Sequence, residues 1–460
     1  MVFSSLVFLF RFLPLALLAY FVAPVRWRNG VLLFISLIFY CWGEVRYFPI
    51  MLSSILVDYT LSRVIEAHRG SRAVCRLCLA GSLAFNLGML GFFKYTGFFL
   101  ENLNALLGTS LRAPDLVLPL GISFYTFQTL SYTIDVYRGK VEAERNIVDF
   151  GAYVALFPQL IAGPIVKYTD VNRELKERRR FSAEDLGQGA RTFVFGLGYK
   201  VLIANNVGML WDEVAATGFG GISAPLAWLG VLAFSLQIFF DFSGYSLMAI
   251  GLGRMLGFRF PENFNYPYVS RSMTEFWRRW HMTLGSWFRE YVYIPLGGNR
   301  VGKARLYFNL FVVWGATGLW HGASWNFVLW GLFFWVLLSI EKAGFLGVLE
   351  KHRVLSHCYA LFFLLLSWAI FAVTDFGELG RLFARLFSFD AHNDFSYYLR
   401  SYGVTLLIGL VFATPVVRRL YDRAAKRFPA VEPVVMVLLF FVCTAYLVDA
   451  TYNPFLYFRF

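Results

Sequence analysis

Charge is scarce in this chain. Only 15% of its 460 residues are Asp, Glu, Lys or Arg, against about 25% in an ordinary globular domain, while 58% are hydrophobic and 19% aromatic. A soluble globular protein is excluded. The apolar residues fall in many separate runs divided by short basic loops, which also excludes a large soluble domain hidden among them. The deepest deficit is LYFNLFVVWGATGLWHGASWNFVLWGLFFWVLLSI, 35 residues from Leu306 to Ile340 without one formal charge, bounded by Arg305 and Glu341. About 20 apolar residues cross a bilayer core, so this stretch exceeds one span, and two short helices meeting near 318–323 fit it better. His321 then sits at a helix junction at membrane depth, where a polar group is costly unless protein or water satisfies it. A titratable side chain in that position is a functional-site candidate.

Cysteine is equally sparse and gives no framework. Cys41, Cys75, Cys78, Cys358 and Cys443 are odd in number and scattered through or beside apolar runs, which excludes a disulfide scaffold. The lone Cys75-x-x-Cys78 has no second pair, so it reads as two small apolar residues on a helix rather than a metal or redox site. A Gly-x-Ser-x-Gly elbow, a Walker loop and a metal-spaced His/Cys cluster are all missing, which removes soluble-type hydrolases, ATPases and metalloenzymes. The net charge of +13 would suggest nucleic acid in a soluble chain. Here Lys and Arg fall in loops, as the positive-inside bias requires, and no stacking platform with a basic groove accompanies them. We expect no nucleic-acid partner and no bound metal.

The runs and loops alternate consistently along most of the chain. Spans are expected near 4–23, 31–42, 48–64, 77–99 and 116–136, with basic loops at Arg26 and Arg28, at Arg63 to Arg76, and at Arg138 to Arg145. The first run has no basic n-region and no small-residue cleavage site, so it resembles a retained span with the N-terminus outside. Segment 150–167 interrupts the alternation, because GAYVALFPQLIAGPIVK is apolar yet flanked by basic loops on both sides. Pro158, Gly163 and Pro164 break its helix and Gln159 adds polar groups at depth, so a re-entrant hairpin is expected; irregular backbone there must be buried in protein or line a cavity. Further spans are expected at 190–210, 226–252, twice within 306–340, and at 355–373, 402–417 and 434–448. The total is an all-α polytopic membrane protein with about 11–12 transmembrane helices plus the hairpin.

The interval from Arg254 through Arg305, both included, holds nine Lys or Arg and three acids. Trp277, Trp280, Trp287, Tyr291 and Tyr293 interleave there with Arg278, Arg279 and Arg289, a pattern expected of interfacial amphipathic helices. His281 fits an anchoring belt poorly. Asp241, in QIFFDFSGYS, is a carboxylate inside a span and needs a partner, for which pairing with a basic residue is favoured over catalysis. His68, His352, His357 and His392 sit in or beside polar loops and carry no expected function. No inverted repeat or matched pair of broken helices is visible.

Several long motifs resemble one family. They are EFWRRWHMTLGSWFREYVYIPLGGNR from Glu275, LWHGASWNFVLWG from Leu319, PLGISFYTFQTLSYTIDVYRG from Pro119, FPQLIAGPI from Phe157, QIFFDFSGYSLMAIGLGRMLGFRFPENFNYPY from Gln237 and NPFLYFRF from Asn453. Together they resemble the membrane-bound O-acyltransferases nearly end to end. Within that family the similarity is to the bacterial branch of alginate O-acetyltransferase membrane subunits, peptidoglycan O-acetyltransferases and D-alanyl exporters. The chain departs from many members at Leu247, where they carry Asp, and at Phe334 and Trp335, where they carry His-Gly.

The resemblance implies one membrane domain over 1–460, with N-terminal spans over 1–147, a core over 148–340 holding the hairpin, cytoplasmic-side helices and histidines, and C-terminal spans over 341–460. It implies helices around a central funnel or tunnel, entered by donor from the cytoplasm and by acceptor from the other side, in a bacterial inner membrane. His321 matches the family's principal active-site histidine and His281 the second. Acyl transfer to a hydroxyl needs a base, donors for the tetrahedral oxyanion and exclusion of water. His321 is expected as the base, and His281 orients the donor, acts as a second acid or base, or holds structure. Trp320 and Trp325 are expected to exclude water, Trp277, Trp280, Gln159 and Asn326 to line the substrate path, and Asp241 to support it. Arg278 and Arg289 would meet donor phosphates or anchor to anionic lipid. No cofactor is expected to stay bound; acetyl-CoA or another acyl thioester is the co-substrate. Expected partners are membrane lipid, a separate extracytoplasmic acetyltransferase subunit, an acyl carrier protein and the polysaccharide acceptor. The expected reaction is O-acetylation of an exported or envelope polysaccharide, alginate-like or peptidoglycan. D-alanyl transfer to teichoic acid is the alternative, and a transporter or a noncatalytic scaffold the alternatives of another class.

Overall fold

The computed structural model describes residues 1–460 except Asp115, Arg178, Arg180, 390–392, 450, 451 and 455–460. His392 and the last six residues of the terminal motif lie outside the described residues. The described elements are all helices, as expected for backbone that must satisfy its own polar groups in lipid. Among the described residues, eight helices are long and apolar enough to cross a membrane: Phe48–Ala67, Arg72–Leu107, Ala183–Thr217, Ala224–Met255, Trp325–Lys351, Arg353–Ala372, Asp394–Phe412 and Val431–Asp449. The remaining apolar runs also form helices, at Phe8–Val22, Arg28–Gly43, Ile122–Tyr137 and Lys303–His321. Large apolar side chains stay exposed along many of them, among them Leu15, Phe34, Leu77, Val404 and Phe441. Such surface suits hydrocarbon rather than water.

The chain forms two compact units, Met1–Phe193 with Ser246–Pro261, and Val194–Tyr245 with Glu262–Phe460. In the first, three spans are tied by polar groups. Asp58 is fully buried on Phe48–Ala67 and accepts hydrogen bonds from Ser82, from Asn86 Nδ2 at 2.7 Å and from Thr133 Oγ1 at 3.0 Å. Thr129 Oγ1 donates to Asn86 Oδ1 at 3.2 Å. Interhelical hydrogen bonds of this kind join helices where lipid removes the hydrophobic drive between them.

Segment 150–166 of this unit is buried throughout. Its helix Ile147–Ala155 ends at Leu156 and a short turn, Phe157–Leu160, follows with Pro158 in its first positions. Freed backbone groups find partners: Phe157 N donates to Ser36 Oγ at 3.1 Å. Gln159 is buried, and its Nε2 donates to the Tyr153 carbonyl at 2.6 Å. Gly121, at φ 72°, lies so near the Leu160 carbonyl that a Cβ would sit 2.4 Å from its oxygen. The basic loop before Phe193 carries structure as well as charge. Arg179 is buried, donates through Nε to Tyr20 OH at 3.0 Å and through Nη1 to the Glu174 carbonyl at 2.5 Å, and its guanidinium lies 4.4 Å over the Phe258 ring. Tyr20 OH in turn donates to the Leu256 carbonyl at 2.7 Å.

In the second unit the buried ion pair Lys200–Asp241, at 2.6 Å, joins Ala183–Thr217 to Ala224–Met255. Lys200 also donates to the Pro454 carbonyl, and Tyr452 OH donates to Asp212 Oδ2 at 2.6 Å, so residues 452–454 lie against the first of these helices. The 35-residue neutral stretch breaks between Lys303–His321 and Trp325–Ile340, where two helices were expected to meet.

Candidate active site

Glycine brings the two arms of this helical hairpin into contact. A Cβ on Gly318 would lie 2.4 Å from the Phe327 carbonyl oxygen, and one on Gly331 2.4 Å from that of Trp314. At the turn, a Cβ on Gly322 would lie 2.2 Å from the Phe327 ring. This close crossing holds His321, the last residue of Lys303–His321, in an aromatic enclosure. Its ring meets Trp320 at 5.0 Å, Trp330 at 5.0 Å and Phe371 at 5.3 Å between centroids, each edge to face.

His281 is 1% exposed. It precedes the helix Met282–Phe288 at φ 44°, in the left-handed region, where non-glycine residues are uncommon. The edge of Phe242 meets its ring at 4.7 Å and Trp320 lies 5.9 Å from it. The Trp320 indole therefore contacts both imidazoles, and the two histidines expected from sequence share one site. Burial holds the His281 imidazole well below the usual histidine range, and the charge on His321 acts in the same direction. His281 is accordingly neutral near pH 7.

The segment carrying His281 is fixed from below. Glu341, 1% exposed, accepts from Met273 N at 2.6 Å, Thr274 N at 2.9 Å and Thr274 Oγ1 at 2.6 Å, capping the helix Met273–Trp277. A carboxylate suits these first-turn N–H groups because it meets both their hydrogen bonds and the positive end of the helix dipole. The interleaved aromatics are buried or half-buried in the protein. Trp280 is 2% exposed, 4.7 Å from Trp368 and 5.1 Å from Phe264, and Trp277 lies 4.6 Å from Trp314 and 4.9 Å from Phe334. Met273–Trp277 is a single short turn, and Met282–Phe288 continues through the wider turn Arg289–Tyr293; along these two, Trp287 and Tyr291 are buried and Tyr293 half-buried.

The other expected residues divide by location. Arg278 and Arg289 are exposed, while Arg279 pairs with Glu275 at 2.9 Å. Trp320 is 4% exposed and Trp325 52%, so the first is buried beside the imidazoles and the second is half exposed. Asn326 is buried and donates to the Ile370 and Phe371 carbonyls at 3.2 and 3.1 Å, which steadies the Phe371 ring against His321. Asp241 pairs with Lys200, as a carboxylate inside a span requires. Gln159 belongs to the other unit, where it bonds its own segment. Three contributors were missed from sequence: Glu341, Phe371 and Asn263, whose side chain meets His281. Asn263 stood within the quoted PENFNYPY motif, but spacing gave no sign that it reaches a histidine 18 residues on.

Comparisons with known proteins identify the family and its relatives. Residues 143–349 match the model of the membrane-bound O-acyltransferase family. The chain is 42% identical to a protein of Azotobacter vinelandii named probable alginate O-acetylase AlgI, over 85% of this chain and 78% of the relative. It is 37% identical to a protein of Pseudomonas putida that is also named probable alginate O-acetylase AlgI, over 100% of both. A Helicobacter pylori peptidoglycan O-acetyltransferase is 36% identical over 81% of this chain and 77% of its own. Matches to teichoic acid D-alanyltransferases reach 49% of this chain.

Proposed function

This chain belongs to the membrane-bound O-acyltransferase family, in its alginate O-acetylase branch, and is an acyltransferase; from that premise we propose that it moves acetyl from a cytoplasmic thioester, across the inner membrane, toward O-acetylation of an exported or envelope polysaccharide. The observation carrying the reading is the pair of buried imidazoles, His281 and His321, held against the one indole of Trp320. The relatives covering most of the chain are named for O-acetylation of alginate and peptidoglycan, which favours acetyl over D-alanyl as the group moved.

The chemistry follows from the enclosure. His321 takes the proton of the acceptor hydroxyl as its oxygen bonds to the thioester carbonyl carbon. The tetrahedral intermediate collapses, the C–S bond breaks, and the proton passes to the leaving thiolate. Trp320, Trp330 and Phe371 keep bulk water, the competing nucleophile, from the reacting carbonyl. Exposed Arg278 and Arg289 offer charge to donor phosphates or to anionic lipid. In this scheme the N-terminus is outside, a carrier protein is the alternative acyl donor, and a separate extracytoplasmic transferase completes delivery to the polysaccharide.

Detergent-purified protein incubated with labelled acetyl-CoA tests the reading. The parent is expected to consume thioester, and His321→Ala to abolish consumption while remaining folded. A parent inactive with both acetyl-CoA and an acylated carrier protein would instead support a transporter or scaffold. Activity with the D-alanylated carrier alone would support D-alanyl transfer.

A further inference from the structure

We infer that Asn263 is a positioning residue for the acyl transfer proposed above: it fixes His281 in the tautomer protonated on Nδ1 and so presents Nε2 as a hydrogen-bond and proton acceptor. Asn263 is 1% exposed. Its Oδ1 lies 3.0 Å from His281 Nδ1. The same atom accepts from Thr283 Oγ1 at 2.9 Å and from the Thr283 backbone N–H at 3.3 Å. The backbone N–H decides the orientation of the amide, since it can donate to oxygen and not to an NH2 group. With oxygen facing the imidazole, Nδ1 must carry the hydrogen.

Asn263 also holds the main chain. Its carbonyl accepts from Met282 N at 2.9 Å, directly after the left-handed His281. A strained residue of this kind persists only where its surroundings over-determine it. Backbone and side chain of one asparagine thus fix both the path of the chain and the orientation of the ring. His281 Nε2 is buried and has no hydrogen-bond partner among the described residues, so the acceptor side of the ring is the one left for substrate.

The groups packed on this ring are Phe242 from Ala224–Met255, Phe264 from the loop and Trp320 from Lys303–His321. His321 is the titratable group whose charge bears on it. Asp241, next to Phe242, is engaged by Lys200, and Arg279, two residues before His281, by Glu275. A neutral His281 in this tautomer cannot donate from Nε2 to a thioester carbonyl. Its part is to accept, from a water held beside it or from a substrate hydroxyl other than the one whose proton His321 takes.

Two variants test the inference. Asn263→Leu removes the acceptor at similar volume, and Asn263→Asp keeps it and adds charge. In Asn263→Leu we expect kcat for acetyl-CoA consumption to fall on the order of a hundredfold, with KM nearly unchanged and the protein folded. In Asn263→Asp we expect turnover to persist with the acid limb of its pH profile displaced upward, because a carboxylate favours the imidazolium. Parent-like kcat in Asn263→Leu, or losses in both variants that only track the folded fraction with no displaced limb, would overturn it. Nitrogen NMR of 15N-histidine protein, with His281→Gln to assign the signal, reads the tautomer without turnover. An Nε2–H tautomer would refute the inference even if the acyltransfer reading held. An Nδ1–H tautomer in a parent that consumes no thioester would uphold the positioning by Asn263 and count against that reading alone.

Discussion

Gly318 and Gly331 face each other across the helical hairpin so closely that a Cβ on either would lie 3.3 Å from the other's Cα. No larger residue permits this crossing, and the crossing sets where His321 points. Gly331→Ala would drive a methyl to 2.4 Å from the Trp314 carbonyl oxygen, and overpacking of this sort costs about 1–3 kcal/mol. We expect lower thermal stability in detergent and reduced acetyl-CoA consumption. Gly315→Ala on the same helix has nothing within 4 Å of the new methyl and is expected to leave both unchanged or to raise stability slightly. Equal losses in the two variants would contradict the close-crossing argument.

The ion pair between Lys200 and Asp241 is 3% and 4% exposed. Truncating one member of a buried pair strands the other charge and costs about 3–5 kcal/mol, whereas replacing both by apolar groups of similar size is far milder. Lys200→Met is therefore expected to lower the unfolding midpoint sharply, and Lys200→Met with Asp241→Leu to recover much of the loss. Additive losses in the double variant would show that the charges act independently.

Asp58 is the acceptor for Ser82, Asn86 and Thr133, which come from two neighbouring spans. Asp58→Leu leaves these donors buried without their acceptor, at about 1–3 kcal/mol for each group left unsatisfied. Asp58→Asn keeps an acceptor oxygen and is expected to cost much less. Urea or thermal unfolding of the two variants checks the order, and a leucine variant as stable as the asparagine one would rule out the polar tie.

The lowered pKa of His281 has a definite sign in stability. Unfolded, the imidazole protonates near pH 6.5; folded, it resists protonation to lower pH. As pH falls through about 6.5 the unfolded state binds the extra proton, so stability is full above that value. It then declines by about 1.4 kcal/mol per pH unit until the folded group titrates. We expect the parent to lose more stability between pH 7 and pH 5 than His281→Gln. Identical slopes in thermal scans at the two pH values would mean that His281 titrates alike in both states.

Much of the architecture was legible because the bilayer imposes a simple code. An apolar run must become a helix and a basic loop must leave the membrane, so the twelve apolar helices and the broken segment 150–166 followed from composition and order alone. His321 was equally exposed to sequence reasoning, as a titratable residue in 35 uncharged positions. For the aromatics of 277–293 the interleaving with arginine was legible, but not which rings the turns would bury among those of Trp314, Phe334 and Trp368. Trp320 and Trp325 could not be told apart in the sequence, since residues on either side of a helix start diverge: the second is half exposed while the first is buried.

By itself the sequence determined that this protein is a helical membrane acyltransferase and singled out two candidate histidines, because hydrophobic runs and long motifs are local properties of the chain. The tertiary structure decided which groups act on those histidines. Trp320 spans the two rings, Phe371 is steadied by Asn326, Glu341 caps the helix before His281, and Asn263 fixes its tautomer. Each of these relations joins residues separated along the chain or oriented by a turn, and hydrogen-bond direction and ring contact exist only once the backbone has been placed in three dimensions.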